Sequence, residues 1–183
     1  NSNQSTNLKY LTSNYSNKKI IFLYLFLIGL TSFFIRMVYF PHDIPILADG
    51  QSYFWYALDM SILDKFPNDH VIVNNGWPTM VSFFFNFLDE ENFIIYQNLQ
   101  RFISVSISTL TFIPIYFLCK RFVDWKFAII AAAIIAFEPK LILNSLIGTP
   151  ESLYIFLISI MLWLFFSKKH YNIYISFFIL GLI

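Results

Sequence analysis

The stretch IIFLYLFLIGLTSFFIRMVYF, residues 20–40, contains one charged side chain, Arg36, near its far end. A helix needs about 20 consecutive apolar residues to cross the hydrocarbon core of a bilayer, so this run reads as a transmembrane helix. The rest of the chain agrees with that solvent. It is 57% hydrophobic, 21% aromatic and 13% charged, with a mean hydropathy of +0.61. A soluble domain carries roughly 25% charged residues, about twice as many. The expected fold is therefore all-α: a multi-span helical integral membrane protein.

Working outward, residues 1–19 are rich in Asn, Ser and Thr and read as a disordered tail. Pro41 and Pro45 end the first span. A segment over 41–96 follows, too long for a simple connector and too aromatic for a free linker. Within it, 51–65 and 78–88 read as two short interfacial helices, with Pro78 suited to a first helical turn. Further spans are expected at 97–119, with a kink at Pro114, at 124–144, and at 153–166. A short loop over 145–152 precedes the last of these, and a fifth span starts near 173. The chain begins without Met and ends inside an apolar run, as expected of the amino-terminal part of a longer membrane protein.

Charge orients the spans. If they cross alternately, Lys9, Lys18, Lys19, Lys120, Arg121, Lys126, Lys168 and Lys169 share one side, and the positive-inside rule makes that side the cytoplasm. Of the acids, only Asp124 lies there; Asp43, Asp49, Asp59, Asp64, Asp69, Asp89, Glu90, Glu91, Glu138 and Glu151 fall on or near the other face. The expectation is a multi-pass protein of the cell membrane with a cytoplasmic amino terminus. The single cysteine, Cys119, excludes an intramolecular disulfide framework. His42, His70 and His170 have no metal-ligand spacing, which gives no support to a histidine-built zinc site.

Four places can carry chemistry. Asp49, in ILADGQSYFWYALDM, follows the first span closely and sits beside Tyr53, Phe54, Trp55 and Tyr56. A carboxylate partly desolvated by aromatic rings at a lipid surface gains basicity, which suits a base or a metal ligand, although most loop aspartates are inert. Arg101, opening the second span, suits a bidentate clamp on a lipid-linked phosphate or simple snorkelling to headgroups; Arg36 is a weaker candidate for the same clamp. Glu151, opening the fourth span, is an ionisable group at the edge of an apolar helix, or a charge favoured by the helix dipole with Thr149 as cap. In NNGWP, Trp77 suits stacking on a sugar with Asn75 holding hydroxyls, or plain interfacial anchoring. Glu138 beside Lys140 reads as an ion pair.

Taken in order, Asp49 four residues before Tyr53, then NNGWP, QRFISVSISTL, AFEP and GTPESLYIFL resemble the amino-terminal part of GT-C superfamily glycosyltransferases, of the protein O-mannosyltransferase and aminoarabinose transferase type. The resemblance implies a hexosyl- or pentosyltransferase that uses a dolichyl- or polyprenyl-phosphate sugar. It implies Asp49 as the first-loop catalytic acid, Arg101 as the arginine opening the second span, and Pro139 and Glu151 as the residues bracketing the loop before the fourth. The chain departs from the pattern at Gly50, where many relatives have a second acid, and at Asn75-Gly76-Trp77-Pro78, where many have Glu or His before two prolines.

The mechanism expected on that basis places Asp49 as base on an acceptor hydroxyl. A polyprenyl phosphate leaves in a single inverting displacement, its developing charge met by Arg101 or a cation. The acceptor is a protein, lipid or glycan; membrane lipids surround the chain, and nucleic acid is not a partner. Two alternatives stand beside it. One is an oligosaccharyltransferase-like enzyme whose first-loop acid binds a divalent metal; the other is a transporter or scaffold without catalysis.

Overall fold

The computed structural model describes residues 2–67, 75–88, 92–167 and 169–182, and among them every regular element is helical. In chain order these are α1 (Ser2–Val38), α2 (Asp49–Leu63), α3 (Gly76–Phe85), α4 (Phe93–Leu110), α5 (Phe112–Cys119), α6 (Trp125–Ala136), α7 (Pro139–Ile147), α8 (Glu151–Phe165) and α9 (His170–Leu182). Two helical stretches are long and apolar enough to cross a membrane, Lys18–Val38 and Phe93–Cys119. They are three if the bent pair α6 and α7 counts as one crossing.

Several boundaries differ from the sequence expectation, each for a physical reason. Residues 2–17, expected to be disordered, continue α1 as helix. No Gly or Pro precedes Gly29, and extending an existing helix needs no new nucleus. The second span begins at Phe93 rather than 97, because Asn92 caps it: its side chain accepts a hydrogen bond from the Ile94 amide at 3.0 Å. The α4–α5 break falls at Thr111, one turn before Pro114, because Pro114 has no N–H to offer the Leu110 carbonyl. The expected span over 124–144 is not straight. Pro139 starts α7, which is bent 46° from α6. At 15 residues, α8 is about 22 Å long, short of the roughly 30 Å of a hydrocarbon core.

The packing is up and down. Arg121 Nη1 donates to the Phe166 carbonyl at 2.9 Å, bringing the α5–α6 and α8–α9 turns to one end of the bundle. At the other end, Ser32 Oγ donates to the Ala136 carbonyl at 3.0 Å, joining the ends of α1 and α6. There the chain between α1 and α2 lies over the first turns of α4, and the α7–α8 turn comes beside it. This end carries the candidate residues and is called the rim below.

Two apolar clusters fill the interior. Phe54, Ala57 and Leu58 of α2 pack with Trp77, Val81 and Phe85 of α3 and Ile103 of α4. Phe112 and Tyr116 of α5 pack on Ala128, Ala132 and Ala136 of α6, with Ile21, Leu25 and Ile28 of α1 against them. The alanines recur every fourth residue on one face of α6, so the large rings of α5 approach that helix closely. Ala132→Leu is expected to overpack this face and lower the stability of the protein in detergent by about 1–3 kcal/mol. Ile134→Ala, on the exposed face of α6, serves as the control, and thermal unfolding of both variants should separate them clearly.

Candidate active site

The rim is organised by the first turns of α4. Gln97 Oε1 accepts from the Ile46 amide at 2.9 Å. Asn98 Nδ2 donates to the His42 carbonyl at 2.8 Å. Gln100 Nε2 donates to two carbonyls, Gly50 at 3.2 Å and Gly148 at 2.7 Å. Arg101 Nη1 donates to Pro41 at 3.0 Å, to Ile44 at 2.6 Å and to Asn98 Oδ1 at 3.3 Å. Four neighbouring side chains thus fix the path from α1 to α2 and the turn from α7 to α8.

Gln100 is the joint between them. Gly50 follows Asp49 and Gly148 precedes Glu151 by three residues, so one buried amide ties together the starts of α2 and α8. Both acids are the first residues of their helices and both are exposed. There the positive end of the helix dipole favours a negative charge.

Tyr53, one turn into α2, is near enough to feel both charges. Its phenol is pushed above its ordinary pKa, first by burial and then by the charge of Glu151, by Tyr154 and by the charge of Asp49. Asp49, Tyr53, Glu151 and Tyr154 therefore form one group drawn from two distant segments. Among the described residues no cluster of three or more His, Cys, Asp or Glu side chains is assembled. Asp49 and Glu151 are the two carboxylates that bear on Tyr53.

The backbone entering this group is strained. Ala48, immediately before Asp49, has φ 54° and ψ −135°, a region that costs a non-glycine residue on the order of 1–3 kcal/mol. Around it, the Ile46 amide is held by Gln97 and the Ala48 carbonyl accepts from the Gln51 amide at 3.1 Å. Gly50 has no room for a side chain: a Cβ there would stand 2.8 Å from the Ile147 carbonyl oxygen and 2.6 Å from Ile46. Any side chain at position 50, an acid included, is thus sterically barred.

The expectations for Arg101, Trp77 and Arg36 change. Arg101 does not open its helix; with α4 starting at Phe93 it lies two turns in, 3% exposed, its Nη1 engaged by loop carbonyls. It closes the loop and is not a free clamp for phosphate. Trp77 is 1% exposed within the α2–α3–α4 core, so its faces meet apolar neighbours rather than a sugar. Asn75 remains exposed just before α3, where its backbone carbonyl accepts from the amide and hydroxyl of Thr79, at 3.0 and 2.6 Å. Arg36 is fully buried among Ser32, Ser108 and the Ala136 carbonyl, away from any surface. Asp69, Asp89, Glu90 and Glu91 lie outside the described residues. The residues that sequence inspection missed are Gln97 and Gln100. Their signal was there, as amide side chains three apart in the opening turns of an apolar span.

Two measurements check this geometry. Gly50→Ala should destabilise the protein by about 1–3 kcal/mol, read as a lowered unfolding midpoint, since the opposing atom is backbone and cannot yield. In an absorbance titration, the phenolate difference between the protein and Tyr53→Phe should appear above the ordinary tyrosine range. Glu151→Gln should bring that titration back toward the ordinary value more than Asp49→Asn does, because Glu151 is the larger charge contribution. By the same sign, the stabilisation linked to protonated Tyr53 is complete below the ordinary tyrosine pKa and is lost as pH rises through the folded value.

No family model, no curated protein and no solved structure matches the chain.

Proposed function

We propose that the chain is part of a membrane glycosyltransferase of the GT-C type, which moves a sugar from a polyprenyl- or dolichyl-phosphate donor to an acceptor on the non-cytoplasmic face. The convergence of Asp49, Tyr53 and Glu151 at one rim, fixed by Gln100, is the observation that carries this reading. The opposite end of the bundle holds Lys120, Arg121, Lys126 and Lys169. By the positive-inside rule that end is cytoplasmic, which puts the rim outside and the amino terminus inside. An enzyme facing outward has no access to nucleotide sugars, and a lipid carrier then supplies the donor at bilayer depth.

Asp49 acts as general base in this proposal. Exposed at the first turn of α2, it accepts the proton of the acceptor hydroxyl as the hydroxyl oxygen bonds to the anomeric carbon. The bond from that carbon to the phosphate oxygen breaks, and the lipid phosphate leaves with the electron pair. One displacement inverts the anomeric centre. Tyr53, whose phenol is pushed up first by burial and then by the charge of Glu151, is like any tyrosine a hydrogen-bond donor near neutral pH, suited to a hydroxyl or a phosphate oxygen. Arg101 adds positive potential from beneath the loop instead of touching the phosphate, and Pro139 sets the bend that places α7 and the turn before Glu151.

The test is transfer from a radiolabelled polyprenyl-phosphate sugar by the full-length protein in its membrane. Asp49→Asn should lower the rate by roughly 10²–10⁴-fold, the contribution of a positioned base, with folding unchanged since Asp49 is exposed. Transfer by Asp49→Asn at the wild-type rate would remove the catalytic assignment.

A further inference from the structure

The end of α2 remote from Asp49 borders a cavity of about 450 Å³ between α2, α3 and α4, within the roughly 300–1,000 Å³ of small-molecule sites. Its lining divides by chemistry. Phe93 and Tyr96 supply accessible aromatic surface, buried Phe85 backs them, and Ser61, Asp64 and Asn86 supply a hydroxyl, a carboxylate and an amide. The rings are held in place. Phe85 stands edge-on to both Phe54 and Tyr96, Phe93 stands edge-on to Trp55, and the Tyr96 hydroxyl donates to the Leu88 carbonyl at 3.2 Å. Asp64 and Asn86 are exposed and cap the ends of α2 and α3.

This combination selects among ligands. No Lys, Arg or His is among the described lining residues, and Asp64 is an acid; a phosphate or an anionic headgroup would be repelled. An acyl chain would cover three polar side chains without hydrogen-bonding any of them, which is costly. A pyranose meets both halves of the lining, since its C–H faces lie on aromatic rings while its hydroxyls bond to carboxylate, amide and serine. We propose that the cavity is a saccharide-binding site. The 15 residues of α2 separate it from Asp49 by about 22 Å, so a ligand reaching both is a chain of several sugar units. The acceptor at this rim is then an oligosaccharide, with its reacting hydroxyl at Asp49 and distal rings in the cavity. The acceptor role rests on the transfer proposed above; saccharide occupancy does not.

The experiment uses the full-length protein in lipid nanodiscs, with mannotetraose, cellotetraose and chitotetraose as probes, each read by saturation-transfer NMR. The variants are Asp64→Gly, which suits the left-handed backbone there (φ 52°), and Asn86→Ala. At least one tetrasaccharide should bind saturably. Asp64→Gly should weaken it about tenfold, as expected for a hydrogen bond to a charged group, with a smaller loss for Asn86→Ala. Absence of saturable binding by all three probes overturns the proposal, as does binding indifferent to both variants. If binding follows the expected pattern while no transfer occurs from lipid-linked sugar, the saccharide site stands and the transferase reading fails. If Asp49→Asn abolishes transfer while both cavity variants bind and transfer as wild type, the transferase stands and this site is refuted.

Discussion

The arrangement of the rim depends on hydrogen bonds made by one face of α4. Gln97, Gln100, Arg101, Ser104 and Ser108 are all buried there at helical spacing. Beyond the loop contacts of the first three, Ser104 Oγ donates to Ser152 Oγ at 2.9 Å and Ser108 Oγ accepts from Arg36 Nη2 at 3.1 Å. This seam therefore touches α1, the chain before α2, the α7–α8 turn and α8. In an apolar interior a polar group without a partner costs on the order of 1–3 kcal/mol, so each contact prefers one position of the segment it holds. Lipid-like packing alone would let these helices slide; the seam gives them a register.

Much of the helical fold was visible in the amino acids, because apolar runs and prolines act locally. The run over 20–40, its end before Pro41 and the short helices after Pro45 needed no knowledge of neighbours, whereas the break at Pro139 was passed over in the span expected at 124–144. The site was less legible. Asp49 and Glu151 stood out as acids next to apolar segments, but nothing local says that their helices start side by side. That fact belongs to Gln100, whose role exists only when residues 50 and 148 are already close. Arg101 was misplaced by a helix start four residues too late, although Asn92 carried the cap signal. The burial of Trp77 could not be read from NNGWP, since an interfacial anchor and a core residue have the same local sequence.

The seam also explains why the chain can tolerate strain beside Asp49. Ala48 in its positive-φ conformation is unfavourable for any side chain larger than hydrogen, yet it sits between Ile46, whose amide is held by Gln97, and Gly50, whose carbonyl is held by Gln100. The two anchors leave the intervening residues little choice. Close contact between Gly50 and the Ile147 carbonyl removes the remaining freedom. A carboxylate carried on such an over-determined segment needs little reorganisation when a ligand arrives, which suits the base proposed above.

The treatment of positive charge completes the logic. Arg36 is fully buried, and its guanidinium meets the Ser32 carbonyl and hydroxyl, the Ser108 hydroxyl and the Ala136 carbonyl, with no carboxylate paired to it among the described residues. Ala136 ends α6, so its carbonyl belongs to the negative end of that helix dipole. Arg101 likewise takes its partners from carbonyls of the loop over it. Both buried cations are thus served by oxygen dipoles rather than by acids. Had Asp49 or Glu151 been their counter-ions, the carboxylates would be drawn inward and neutralised. Because backbone and hydroxyl oxygens take that part, both acids remain at the rim, ionisable and open to whatever binds there.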